Sequence, residues 1–337
     1  MKDEDKPLVC ICIPNYNNEK TIAETLDSLL NQTYQNIIIK IFDNASTDDS
    51  MKILREYEAK YPNMQVFQNE TNIGGEANFT KCIENMEGEY SAIYHADDIY
   101  MPTIVEEEVK VLEENNISAV FTNANIIDGN GKIQSKIKIP SEFVNDNSYT
   151  EITFIALMKS NMKNDNFLVC PTAMSKTETY KKHIVNWDSS LYKTATDISI
   201  WLRFATLAPI GLITKELINY RYSTDSFSYR RLKKRVERKD YFLVIDDFVK
   251  REDLKNNLTN KDFKYYKFLK FKDDIVITKN SIMNGVLIPN SISVFDFDII
   301  KVSLSSKKYF MYYCIGLGFK LLSFKNLASK LVRFLKK

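Results

Sequence analysis

Histidine is nearly absent from this chain. Its 337 residues hold only His95 and His183, which all but excludes a histidine-built metal centre or a nucleophilic triad that depends on one. The five cysteines, Cys10, Cys12, Cys82, Cys170 and Cys314, form no C-x-x-C pair. They read instead as reduced, small apolar core residues of a cytosolic protein, Cys10 and Cys12 on one face of a strand. The charged start, MKDEDKP, has no apolar stretch behind it, so no signal peptide is expected. The longest apolar run, Tyr309 to Phe319, is shorter than the ~20 residues that span a bilayer. A net charge of +2 supplies no global field for nucleic acid, and none is expected as a partner. Internal repeats and low-complexity tracts are also missing.

What is present is an alternation of apolar strands and amphipathic helices. Leu8 to Ile13 is a continuous apolar strand that ends in the turn-forming loop Pro14-Asn15-Tyr16-Asn17-Asn18. A helix is expected from Lys20 to Gln32, with Ile22, Leu26, Leu29 and Leu30 on one face. The second strand, Ile37 to Phe42, runs into Asp43-Asn44-Ala45-Ser46, and a helix follows over Thr47–Lys60. Val66-Phe67 is a short strand, Gly74 to Met86 a third helix, and Tyr90 to Tyr94 a fourth strand. Strands buried on both faces between amphipathic helices predict a parallel α/β sheet. Further on, a helix is expected over 104–115, a strand over Ser118–Thr122 and a turn at Asp128-Gly129-Asn130-Gly131. A helix over Glu151–Lys159, a strand at Phe167–Cys170 and a helix from Asp197 to Leu207 complete the pattern. Beyond about residue 228 the alternation weakens and lysine and aromatic residues dominate.

The most informative segment is Tyr94-His95-Ala96-Asp97-Asp98. Adjacent carboxylates at the C-terminal edge of a buried strand sit where open α/β sheets bind ligands. Two carboxylates can hold a divalent cation, and a cation can hold a diphosphate. The same pair could instead cap the helix that starts near Pro102.

Three more features precede it in order: Pro14-Asn15-Tyr16-Asn17 after the first strand, Asp43-Asn44-Ala45-Ser46-Thr47-Asp48 after the second, and Asn72-Ile73-Gly74-Gly75-Glu76-Ala77-Asn78, which opens the third helix. Thr196-Asp197 ahead of a helix that reaches Arg203, and Asn219-Tyr220-Arg221-Tyr222, extend the series. In this order and spacing the chain resembles glycosyltransferase family 2, over roughly residues 7–228. The resemblance implies a GT-A fold: a Rossmann-like, mostly parallel sheet flanked by helices, followed by a mainly helical C-terminal region. It divides the chain into a glycosyltransferase domain over 1–228, with a nucleotide-binding half (7–100) and an acceptor half (101–228), and a basic helical region over 229–337.

It also implies an activity: transfer of a sugar from a nucleotide-diphosphate donor, most often a UDP-sugar, to a hydroxyl of a glycan or lipid-linked acceptor. Asp43 would accept a hydrogen bond from the base, or serve a helix N-terminus instead. Pro14, Tyr16, Asn17 and Asn44 would shape the wall around base and ribose, and Gly74 and Asn78 the approach of the third helix. The metal-binding Asp of the family maps to Asp97, with Asp98 beside it and Mn²⁺ or Mg²⁺ as the ion. His95 stands where the family often has Asp. It could contact ribose or phosphate, bind the metal, or simply pack. Ser223 stands where many relatives carry a His, which removes another possible ligand. The family's general base maps to Asp197, or that residue caps its helix. A single displacement with one such base inverts the anomeric configuration. Arg203 is expected to face the sheet or a core carboxylate, Arg221 to reach diphosphate or brace a loop, and Trp201 to be core or a sugar platform.

Residues 319–337, FKLLSFKNLASKLVRFLKK, carry six Lys/Arg and no acid, with Phe324, Leu327, Leu331 and Leu335 at helical spacing. This is the pattern of an interfacial amphipathic helix, or of a docked helix with a solvated basic face. Peripheral association with the cytoplasmic leaflet is expected, which fits a lipid-linked acceptor in capsule or lipooligosaccharide synthesis. The basic stretch at 230–239 could assist or be a solvated face. Without many transmembrane helices a processive, polymer-extruding synthase is not expected. A sugar nucleotidyltransferase would need a Gly-rich basic loop after the first strand, which Pro14-Asn15-Tyr16-Asn17 does not offer. A non-catalytic scaffold on the same fold is the remaining rival.

Overall fold

The computed structural model describes residues 6–222, 235–285 and 292–324. Ser223, the expected boundary at 228, residues 230–234 of the basic stretch and residues 325–337 of the tail lie outside them. The chain divides into two compact units. The first comprises residues 1–157 and 167–223, the second 158–166 and 224–337.

The first unit is built on one ten-stranded sheet. Strands β1 (Val9–Asn15), β2 (Ile37–Asp43), β3 (Met64–Gln68) and β4 (Tyr90–Ile93) lie parallel in the order β3-β2-β1-β4. Helices α1 (Ile22–Leu30), α2 (Ser50–Lys60) and α3 (Gly75–Glu84) connect them. Every residue of β1 from Val9 to Ile13 is fully buried, as a strand covered on both faces requires. α1 buries Ile22, Leu26 and Leu29, the stripe that its sequence period predicts. The turn into β4 passes so close to the start of β1 that Gly88, at φ +74°, has no room for a side chain. A Cβ there would lie 2.5 Å from the Leu8 carbonyl oxygen.

The sheet continues through β9 (Met174–Lys176), antiparallel to β4, to β6 (Ala119–Ile127) and β10 (Ile210–Arg221), which run parallel to each other. β5 (Ile99–Tyr100) and β8 (Tyr149–Ile152) pair with β10, and β7 (Ile133–Lys136) forms a hairpin with β6 across the Asp128–Gly131 turn. Helices α4 (Ile104–Glu114), α5 (Phe154–Asn164) and α6 (Thr196–Leu207) complete the unit's framework, with the later part of α5 grouped in the second unit.

Two expectations need correction. Phe167–Cys170 is not a strand. Pro171, which lacks a backbone donor, sits in a 3₁₀ turn at Cys170–Thr172, and pairing begins only at Met174. The segment from Glu151 does not begin as a helix, because Tyr149–Ile152 pairs with β10 before α5 starts at Phe154.

The second unit is helical: α7 (Tyr241–Phe248), α8 (Asn260–Asn284), α9 (Phe297–Ser303) and α10 (Lys307–Phe324), with a single turn at Glu252–Lys255. Phe268, Phe271, Ile275, Ile292, Val294, Ile299 and Val302 form its core. The described part of the basic stretch is not a free solvated face. Arg235 pairs with Asp273 at 2.7 Å, Arg238 with Asp274, and Lys239 with Asp165 at 2.6 Å. Those cations account for the burial of two adjacent aspartates on α8.

Candidate active site

The strand ends of β1, β2 and β4 and the first turn of α3 meet at one edge of the sheet, at the C-terminal ends of parallel strands. Each expected residue has a definite place there. Asp43, the last residue of β2, is completely buried. Its Oδ1 accepts from the Asn15 amide (2.8 Å) and the Ser46 hydroxyl, and its Oδ2 from the Ser46 N–H (3.0 Å). It therefore closes its own turn, with Ala45 at φ +57°. Asn17, also left-handed at φ +55°, accepts from the Thr47 N–H through its side-chain oxygen (2.8 Å). Pro14 is half-buried and Tyr16 is 45% exposed, its ring free at the end of β1.

Asn44 and Asn78 belong to an amide network. The Asn44 carboxamide donates to Asn72 Oδ1 (3.0 Å) and the Gly74 carbonyl (3.2 Å), and its oxygen accepts from Asn69 (3.0 Å) and the Ile73 N–H (2.9 Å). Asn78 accepts from Asn69 (3.1 Å) and donates to the Phe42 carbonyl (2.8 Å). Both are buried and occupied in holding the 69–78 loop against β2. Gly74, at φ +86° and ψ 158°, starts α3 from a backbone region that only glycine enters readily.

At the end of β4, His95, Asp97 and Asp98 converge. One ligand atom from each lies within 4.8 Å of the others. Asp98 is completely buried; its Oδ1 accepts from the Arg221 N–H (2.7 Å), while its Oδ2 has no hydrogen-bond partner and lies 3.8 Å from His95 Nδ1. His95 Nε2 is also buried without a partner. Burial pushes the Asp98 carboxyl well above the carboxylate range, with the charge of Asp97 adding to it, and pushes the His95 imidazole down. Opposed ligands of a small divalent cation at about 2.1 Å stand about 4.2 Å apart, and the 3.8 Å between His95 Nδ1 and Asp98 Oδ2 is within that span, so these two atoms could share such an ion. An imidazole held neutral is the form that ligates.

The loop carrying these groups is fixed from elements distant in sequence. Arg221, at the end of β10 and 6% exposed in its side chain, donates through Nε to the Asp97 carbonyl (2.7 Å). Its Nη1 reaches the carbonyls of Asp128 (3.3 Å) and Gly129 (3.1 Å), and its Nη2 pairs with Glu24. On α1 and the residue before it, Thr25 donates to the Asp98 carbonyl (2.7 Å) and Thr21 to that of Ala96 (3.2 Å). The Tyr100 hydroxyl accepts from the His95 N–H (2.7 Å). The phenol of Tyr100 stacks on Tyr94, which in turn donates to the buried Glu108 (2.7 Å). Thr21, Glu24, Thr25 and Tyr100 were not apparent as site residues. The signal was a polar face at i, i+3, i+4 at the start of an otherwise apolar helix.

Asp197 is in the first turn of α6, with its Oδ1 buried and unpartnered. Burial raises its carboxyl to about 6, partly offset by the N–H groups at the helix start. It is near the β4 loop: the charges of Asp197 and Asp98 both raise the Cys170 thiol, and those of Asp98, Asp97 and Asp197 all act on the Tyr220 phenol. Arg203 turns elsewhere. It donates to the carbonyls of His183 and Ile184, with no carboxylate partner among the described residues. Trp201 is core, 2% exposed and edge-on to Phe121 and Trp187.

A profile of glycosyl transferase family 2 matches residues 10–184. An uncharacterized glycosyltransferase of Methanocaldococcus jannaschii is 30% identical over 68% of this chain and 76% of its own length. The Escherichia coli enzyme WfgD, a UDP-Glc:alpha-D-GlcNAc-diphosphoundecaprenol beta-1,3-glucosyltransferase, is 27% identical over 73% of this chain and 88% of its own. Among solved structures, residues 1–349 of S. aureus TarS in complex with UDP-GlcNAc superpose with a TM-score of 0.55 at 15% identity, over 93% of this chain and 92% of that one. The arrangement of strands, the acidic loop at the end of β4 and these likenesses agree: the chain belongs to glycosyl transferase family 2 and has the GT-A fold.

Proposed function

We propose that this chain is an inverting, non-processive glycosyltransferase that moves a sugar from a UDP-sugar to a hydroxyl of a glycan or lipid-linked saccharide in bacterial cell-surface polysaccharide synthesis. The observation that carries this reading is the pairing of two acidic positions with different environments. One is the His95–Asp97–Asp98 cluster; the other is Asp197, whose buried Oδ1 has no partner and whose charge acts on the same Cys170 and Tyr220. Two acidic groups held apart in this way suit two jobs.

His95, Asp97 and Asp98 would hold Mn²⁺ or Mg²⁺, which when bound offsets the negative charge that develops on a leaving diphosphate. Asp197 takes the proton of the acceptor hydroxyl as its oxygen bonds to the anomeric carbon and the bond to the diphosphate breaks. With its carboxyl raised to about 6, Asp197 is ionised at neutral pH yet more basic than an exposed aspartate. Its free Oδ1 has no protein donor to compete with the acceptor. The exposed ring of Tyr16 is the surface against which a base would lie, and Gly74 keeps the entry to α3 clear of a side chain. Asp43 Oδ2 takes one N–H from the chain and retains a lone pair that the imide N–H of uracil would use. The donor and the diphospholipid acceptor in the name of the E. coli relative support this choice of substrates. A peripheral place on the inner face of the plasma membrane is where such an acceptor would be met.

The test is a panel of nucleotide sugars incubated with Mn²⁺ and assayed for release of nucleoside diphosphate, with and without acceptor glycolipids. One donor should be consumed, and EDTA or Asp97→Ala should abolish the release. Consumption that survives both would contradict a metal held at Asp97.

A further inference from the structure

The acidic loop of the first unit accounts for neither the charge nor the exposed apolar surface of the second. From residue 299 to the end, the sequence has nine Lys/Arg and no Asp or Glu. Within the described part of that stretch, the helices expose large apolar side chains. On α9, Phe297 (76% exposed), Lys301 and Leu304 recur at i, i+4 and i+7, while Ile299 and Val302 of the opposite face are buried. α10 starts with the exposed Lys307 and Lys308, and the described outward positions after them, Phe310, Met311, Cys314, Ile315, Gly318 and Leu321, contain no charge. Phe310, Met311 and Leu321 are each about half exposed. Exposed large apolar side chains therefore recur along both helices.

Beside Lys301 lies a cavity of about 340 Å³, lined by Asn260, Lys261, Lys264, Tyr265, Lys301 and Ser305 among others. Among the described residues no carboxylate lines it. Lys264 is offset by Asp298 at 3.2 Å, whereas Lys261 and Lys301 engage no acid among the described residues. Lysines around a hollow that opens beside exposed Phe and Leu match the chemistry of one partner, a bilayer with anionic phosphate headgroups above an apolar interior.

We propose that the second unit carries an anionic-lipid docking surface. The exposed faces of α9 and α10 enter the headgroup–acyl boundary, and the Lys261–Lys301 cavity takes a lipid phosphate. This places the membrane contact on folded helices over 297–321, mostly upstream of the basic segment 319–337 that the sequence singled out. It refines the peripheral location given above but is independent of the transfer reaction, so a failed vesicle test and a failed transfer assay are separate results.

The test is flotation of the full chain with phosphatidylcholine vesicles and with vesicles containing about 30% phosphatidylglycerol. Binding should require the anionic lipid and weaken with salt. The double variant Phe310→Ser/Ile315→Ser, whose residues are exposed and whose fold a thermal unfolding curve checks, should bind about tenfold or more weakly. Lys261→Glu/Lys301→Glu should lose the dependence on phosphatidylglycerol. Undiminished binding of the serine variant, with residues 325–337 intact, would assign the contact to the tail alone and overturn the proposal. So would tight binding of inorganic phosphate to a wild type that ignores vesicles, which would make the cavity a site for soluble anions. A wild-type dimer that the serine substitutions convert to a vesicle-indifferent monomer would assign the surface to a second copy.

Discussion

Replacing Asp197 with Asn should make this protein more stable at neutral pH. The Asp197 carboxyl is raised from its ordinary value of 3.8 to about 6, chiefly by burial. At about 1.4 kcal/mol per pH unit between the two values, the fold disfavours the charged form by roughly 3 kcal/mol. The folded-state value lies above the unfolded one, so the sign is destabilising on the alkaline side. Above about pH 6 both states are ionised and the cost is complete; as pH falls through 6 the folded state binds a proton first and the cost shrinks; below 3.8 it is gone. An Asn has no charge to desolvate. Its amide hydrogens lack a ready acceptor, which returns part of the gain, so a net stabilisation of about 2 kcal/mol is expected at about pH 7.5. The readout is urea denaturation followed by tryptophan fluorescence. Both tryptophans, Trp187 and Trp201, are in the unit that carries Asp197, and Trp201 is on the same helix. The wild type and Asp197→Asn should differ at about pH 7.5 and converge by about pH 4. Equal midpoints at the higher pH, or a gap that does not change with pH, would refute the claim that burial strains this carboxylate. A buried group kept at such a cost is what a functional site looks like.

Other expectations follow from the same geometry. Arg221→Met removes four donor contacts to two loops and α1 and leaves the half-exposed Glu24 and the carbonyls of Asp97, Asp128 and Gly129 without that partner, so it should destabilise the first unit by about 2–4 kcal/mol in the same denaturation assay. The rate of transfer should fall on the acid side with a midpoint near 6, the value of Asp197, as the base becomes protonated; a pH–rate profile flat down to about 5 would separate Asp197 from the rate. Gly88→Ala should destabilise by about 1–3 kcal/mol, because its φ is +74° and the new Cβ would lie 2.5 Å from the Leu8 carbonyl, seen as a lower thermal midpoint.

Much of the first half was legible from its periodicity. β1, β2 and β4 are mostly apolar, with Lys40 and Ser91 as the polar exceptions within them, and each ends in a polar cluster, so strand, loop and site edge are written in consecutive residues. The second half resisted because its elements depend on pairing. Ile210–Arg221 carries Lys215 and Glu216 in its middle and begins at a Pro-Ile-Gly break, yet it forms a twelve-residue strand whose register shifts around Glu216. Tyr149–Ile152 is a strand only because β10 lies beside it. In the site, Asp97 and Asp98 stood out because two acids end an apolar run. Arg221 stood out as a brace for a loop, but its partner Glu24 did not, since the two are 197 positions apart and meet only in the fold. Asn44 and Asn78 stood out as strand-end and helix-start amides, and their hydrogen bonds go to the loop between them. The exposed faces of α9 and α10 carry no period that distinguishes lipid from core, so accessibility, not sequence, reveals them.

The central claim, that Asp197 is the base and the β4 loop holds the donor's diphosphate, is tested most directly by transfer kinetics and UDP affinity measured together on Asp197→Asn. The account predicts a fall in kcat of about 10²–10⁴ with UDP affinity, in the presence of Mn²⁺, unchanged. Full turnover by the variant would remove Asp197 from the chemistry, and a parallel loss of UDP binding would make it part of the donor site.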